Sequence, residues 1–92
     1  MENNKFAHEV REELESIGDM LIEKNAAYGN SALDPVRIFS KADELEQLRV
    51  RIDDKLSRVA RGIDAGEDVL LDLIGYFVIY RIGLNRRKTI VL

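Results

Sequence analysis

Asp68 and Asp72 stand four residues apart, a spacing that stacks two carboxylates on one face of a helix. Asp72 lies inside the most apolar segment of the chain, Val69 to Leu84. A carboxylate buried there without a cation is costly, so it needs a lysine, an arginine or a metal ion beside it. Candidate neighbours stand upstream in Asp53, Asp54, Lys55 and Arg58, and Glu67 directly precedes Asp68. Two arrangements meet the need. In one, Asp72 pairs with Arg58 or Lys55, and the ion pair fixes the register of two helices. In the other, Asp54, Asp68 and Asp72, joined by Glu46 or Glu67, surround Mg²⁺, which takes hard oxygen ligands, keeps several waters and bridges to phosphates. Lys24, Lys55 and Arg58 then hold phosphate oxygens, the arginine in bidentate fashion. Tyr28 stacks on a base, and Asn25 or Asn30 reads its edge.

These residues need helices to position them, and the apolar spacing supplies three. The first is expected over residues 5–25, capped by Asn3 or Asn4, with Phe6, Val10, Leu14, Ile17 and Leu21 on one face. Glu9, Glu12, Glu13, Glu15 and Asp19 make the other face a solvated acidic one, and His8 is a surface histidine near the start. Gly29, Asn30 and Pro35 break the periodicity. That irregular segment carries Tyr28 and Asn30, and such loops on helical scaffolds often carry function. Asp34-Pro35 suits the start of a short helix through Phe39.

The second long helix is expected over residues 41–61, restarted by Ser40 with Asp43 three residues on in a capping-box-like position, and stopped at Gly62. Its stripe is Leu45, Leu48, Ile52, Leu56, Val59 and Ile63. Asp64 with Glu67 reads as the next cap, and a link this short forces an antiparallel hairpin. The third helix, residues 65–85, is apolar on all sides, which calls for burial on all sides. Two other helices in 92 residues hardly cover it, so part of its surface is expected against another copy of the chain. Gly75 and Gly83, eight apart on one face, suit close helix approach. Arg86, Arg87 and Lys88 suit a helix C-terminus, and the apolar end, Thr89 to Leu92, is expected to dock on a neighbour. The expected fold is thus all-α: one domain, residues 1–92, whose three-helix antiparallel hairpin unit completes a four-helix-type bundle by homo-oligomerisation.

Composition narrows the function classes. The chain has no cysteine, so neither a disulfide nor a thiolate metal site exists. Its net charge of −3, with acids and bases mixed, argues against a general nucleic-acid binder. No charged start leads into an apolar run, so no signal peptide is expected. Val69 to Leu84, interrupted by Asp72 and Arg81, falls short of the ~20 apolar residues of a membrane span. A cytoplasmic location is expected.

Three strings carry a resemblance: Lys24-Asn25 with Tyr28-Gly29-Asn30-Ser31, then Val50 through Arg58, then Glu67 through Tyr76. In this order they resemble the small nucleotide-modification-associated domain family of phages and bacterial prophages. That family is similar in turn to a divergent branch of the MazG-like, all-α nucleotide pyrophosphohydrolases. The resemblance spans residues 24–81. It implies helical hairpins that oligomerise, acids from two helices on Mg²⁺, and a water that cleaves a nucleoside triphosphate to monophosphate and pyrophosphate. By position, Asp54, Asp68 and Asp72 match the metal-binding acids, with Glu67 a fourth catalytic acid. Lys55 and Arg58 match the basic positions, and Lys24, Asn25, Tyr28 and Asn30 belong to the loop motif. The wider group carries Glu-x-x-Glu and Glu-x-x-Asp. This chain has Asp53-Asp54 and Asp68-x-x-x-Asp72 instead, a shortened acidic set. Three functions follow: Mg²⁺-dependent hydrolysis of a nucleoside triphosphate or modified nucleotide, non-catalytic sequestration of a nucleotide, or a purely structural helical oligomer.

Overall fold

The computed structural model describes residues 2–27, 29–35, 38, 40–62 and 66–90, without the side chains of residues 2, 3, 89 and 90. Three helices follow in order: α1 (Glu2–Ala27), α2 (Glu44–Arg61) and α3 (Val69–Ile90). No strand occurs among the described residues, so the expected all-α class holds.

Local chemistry sets the helix ends. At the end of α1, Gly29 and Asn30 both take left-handed backbone, with φ of 63° and 65°. Glycine does so freely, and asparagine is among the few other residues that tolerate it. The Asn30 amide donates back to the Asn25 carbonyl at 3.2 Å, and the Asn30 carbonyl accepts from Leu33 and Asp34 at 3.3 and 2.9 Å. Asp34 and Pro35 sit in this turn and its exit rather than in a short helix, while Phe39 and Tyr28 lie outside the described residues. α2 begins three residues later than the spacing suggested, because Asp43 is its cap: the carboxylate accepts from the Glu46 amide at 2.7 Å. Ser40 instead accepts from the Ala42 amide. α2 ends at Gly62 in the left-handed region, as its sequence required. α3 begins at Val69, not residue 65. Gly66 has a φ of 80°, which no helix continues through, and the Asp68 carboxylate caps α3 by accepting from the Leu71 amide at 2.9 Å. Asp64 and Ile63 lie outside the described residues.

α2 and α3 form the expected antiparallel hairpin, pinned along its length. At one end Arg87 reaches Asp43 and Glu44 at 3.4 and 3.2 Å. In the middle Arg49 donates to the Tyr80 hydroxyl at 2.9 Å and lies over its ring. At the other end Lys55 and Arg58 meet Glu67 and Asp72. Between the pins lie buried Leu45, Leu48, Ile52, Val69 and Leu73. Leu56 and Val59, expected in the same stripe, stay exposed.

α1 meets α3 around Gly75, where Leu21 and Met20 pack, and there its own Ile17 is buried. Its Phe6, Val10 and Leu14 are exposed, so only the second half of the expected apolar face is covered within the chain. Both helical glycines of α3 are close-approach positions, as expected. A Cβ on Gly75 would come 3.1 Å from Leu21, and one on Gly83 would come 2.5 Å from Leu45. Gly18 is the contrast, with nothing within 4 Å of an added Cβ. Gly18→Ala is therefore expected to stabilise the chain by about 0.5–1 kcal/mol, the helix-propensity gain alone. A thermal melt that moves down instead would place a neighbour at that face.

The Arg87 pin makes the hairpin acid-sensitive. The Asp43 carboxyl is held below its ordinary range, first by the Glu46 amide and then by Arg87. Glu44 is lowered by a backbone hydrogen bond and by Arg87. Groups lowered on folding contribute stability above their unfolded pKa and lose it as pH falls through the folded one. Unfolding midpoints are thus expected to drop below about pH 4, with a shallower drop in Arg87→Met, read by denaturant titration across pH.

Candidate functional site

The carboxylates and cations singled out by spacing meet where α1, α2 and α3 come together. Lys55 projects from α2 between two acids of the opposite segment. Its Nζ lies 3.1 Å from Glu67 Oε2 and 3.2 Å from Asp72 Oδ2. Arg58, one turn on, reaches the same Glu67 oxygen at 3.1 Å and Asp54 Oδ2 at 3.3 Å. Lys24, from the last turn of α1, stands 3.9 Å from the other Asp72 oxygen. The six side chains form one string of alternating sign: Lys24, Asp72, Lys55, Glu67, Arg58, Asp54. Lys55 is its centre and its most enclosed member, with a side chain 13% exposed. Its hydrogen bonds to Glu67 and then Asp72 outweigh desolvation and raise its pKa, so the ammonium is the settled form.

Asp72 has thus found the cation that its apolar setting demanded, and Lys55 rather than Arg58 is the nearer one. The arrangement also assigns the acids separately. Asp68 spends its carboxylate on the α3 cap, and Asp54 bonds along its own helix. Glu46 pairs with Arg49 at 2.9 Å, away from the string. Among the described residues no three acids or histidines gather as a metal site, so Asp54, Asp68 and Asp72 do not converge as a ligand set. Glu67 and Asp72 share Lys55, and Glu67 and Asp54 share Arg58.

Beside Lys24 and Asp72 opens a groove of about 740 Å³ between α1, the turn after it and α3. Met20, Leu21, Ile79 and Ile82 supply apolar walls, and Asn25, Asn30 and Ser31 a polar rim. The Asn25 amide donates to the Asn30 side-chain oxygen at 2.6 Å. That bond uses one Asn25 N–H and leaves the Asn25 oxygen to accept and both Asn30 amide hydrogens to donate. Tyr28 lies outside the described residues. Two groove residues escaped the sequence reading, Arg51 and Arg86. Arg51 is outside the α2 stripe, and Arg86 reads as a helix-end cation, so only the packing of the helices brings them to one groove.

The chain matches no protein-family model, no curated protein and no solved structure. No helix among the described residues is long and apolar enough to cross a membrane.

Proposed function

We propose that this chain binds a nucleotide, with phosphate oxygens on Lys24, Lys55 and Arg58 and the base in the groove bordered by Asn25 and Asn30. The observation that carries the reading is the string itself. Three cations from two helices are held in place by carboxylates beside an open, apolar-walled groove. A phosphate brings more charge than a carboxylate and takes over their hydrogen bonds without rebuilding the fold. The resemblance to the nucleotide-modification-associated and MazG-like domains points to the same ligand class. The reading includes self-association into a four-helix-type bundle and work in the cytoplasm, that of the host if a phage encodes it.

A second reading is Mg²⁺-dependent pyrophosphohydrolysis by Asp54, Glu67, Asp68 and Asp72. It is favoured by one observation, the sharing of a single cation by Glu67 and Asp72. It needs Lys55 to leave that position, Asp68 to release the α3 cap and Asp54 to release Arg58.

Calorimetry with a panel of nucleoside mono-, di- and triphosphates, with and without Mg²⁺, separates the two. Binding is expected without metal and is expected to weaken at least tenfold in Arg58→Met and in Lys24→Met. Binding and pyrophosphate release that both require Mg²⁺, lost in Asp72→Asn, would replace the first reading by the second. No heat with any nucleotide would refute both.

A further inference from the structure

Two helical seams stay partly bare within the described residues, one on the outward side of α3 and one on the first half of α1, and they complement each other. On α3 the residues Leu70, Ile74, Phe77, Arg81, Leu84 and Lys88 recur in steps of four and three. That is the 3.5-residue rhythm of a helix packed lengthwise on another. The seam lies away from the contacts of α3 with α2, which run through Val69, Leu73, Tyr80 and Gly83. Leu70 is 67% exposed and Phe77 49%. On α1 the same rhythm runs through Ala7, Val10, Leu14, Ile17 and Leu21. Ile17 is buried, but Leu14 is 61% exposed and Phe6, beside the seam, 69%. The first half of α1 therefore stands in solvent as a helix too short to be stable alone in water.

Charge selects the partner. Glu13 and Glu15 flank Leu14 on α1, while Arg81 and Lys88 lie within the α3 seam. Among the described residues these four have no ion-pair partner. Pairing α1 with a second α1 sets the glutamates against each other, and parallel pairing of two α3 seams sets Arg81 against Arg81. Pairing α1 with α3 matches signs.

We infer that the chain forms a two-fold homodimer in which the first half of α1 packs on the outward α3 seam of a second copy. Glu13 and Glu15 then face the cations Arg81 and Lys88 across the contact. The inference rests on the self-association proposed above and goes past it by naming the two surfaces. Two-fold symmetry repeats the contact, because each copy gives an α1 and receives one. That doubling brings a seam a few turns long towards the roughly 1,200–2,000 Å² of stable interfaces.

Sedimentation velocity on the full chain tests it. A dimer of the 10.5 kDa chain is expected at micromolar concentration. Leu14→Glu and Phe77→Glu are each expected to give monomers. Arg81→Glu is expected to weaken the dimer at least tenfold, and adding Glu13→Arg and Glu15→Arg to it to restore association. These three charged positions are exposed in the single chain, so the charge exchange tests the contact without threatening the fold, and circular dichroism verifies helix content. A wild-type monomer at all concentrations overturns self-association and this interface together. An oligomer that survives Leu14→Glu, or that the charge exchange fails to restore, overturns the named surfaces alone.

Discussion

Gly83→Ala is expected to lower the thermal midpoint by roughly 5–10 °C, the largest effect of a Cβ added at any described glycine. The added Cβ would sit 2.5 Å from Leu45 Cδ2 and 3.1 Å from Leu33 Cδ2. Leu45 is completely buried and has nowhere to turn. Overpacking of this kind costs about 1–3 kcal/mol. Alanine recovers about 1 kcal/mol of helix propensity over glycine, so the clash wins only because Leu45 is fixed. The same change at Gly75 makes the comparison informative. There the nearest atom is Leu21 Cδ2 at 3.1 Å, on a half-buried side chain that can give way. Propensity and crowding then nearly cancel, and Gly75→Ala is expected within about 0.5 kcal/mol of wild type. Equal losses at both glycines, measured by denaturant unfolding, would show that close approach is not what separates them.

Lys55→Met is expected to destabilise the chain by about 1–2 kcal/mol at neutral pH. Glu67 and Asp72 then face each other without the ammonium between them. Arg58 still serves Glu67, and Lys24 is 3.9 Å from Asp72, so neither carboxylate is wholly stranded. The loss therefore stays below that of a fully buried pair. Its pH signature identifies the cause. The deficit should narrow as pH rises through the folded Lys55 value, where the wild-type ammonium loses its proton. A deficit constant with pH would mark lost packing of the lysine stem instead. In wild type, Lys55 titrates higher in the folded chain than in the unfolded one. Its contribution is complete below the unfolded lysine pKa and is lost as pH rises through the folded value.

The three helices and the α2–α3 hairpin were legible because periodicity and caps report backbone choices made locally. Gly62 and the close-packed glycines Gly75 and Gly83 were readable from their types and positions, whereas Ser40 and Asp43 both suit a cap and only the Glu46 amide on Asp43 decides for the later one. The start of α3 was not, since Asp64 with Glu67 and Asp68 with Val69 both resemble caps; Gly66 decides between them through its left-handed backbone. The same ambiguity hid the job of Asp68, because a capping aspartate and a ligand aspartate look alike in a sequence. Spacing did bring Lys55, Arg58 and Asp72 to one level, since an antiparallel hairpin fixes which turns face each other. It could not order their partners, which depend on side-chain reach over less than one turn. The groove was least legible, because Arg51 and Arg86 join Lys24 only through the angle at which α1 meets α3.

That meeting of α1 and α3 has a kinetic consequence. The hairpin is tied at both ends and its centre, whereas α1 is held mainly by Ile17, Leu21 and Lys24 near its end. Amide hydrogen exchange should therefore divide the chain into two cooperative units, with α1 exchanging through a lower-energy opening than α2 and α3. A ligand bridging Lys24 to α3 would slow exchange in α1 first. The detachable helix thus doubles as a reporter of occupancy, readable by mass spectrometry without any label.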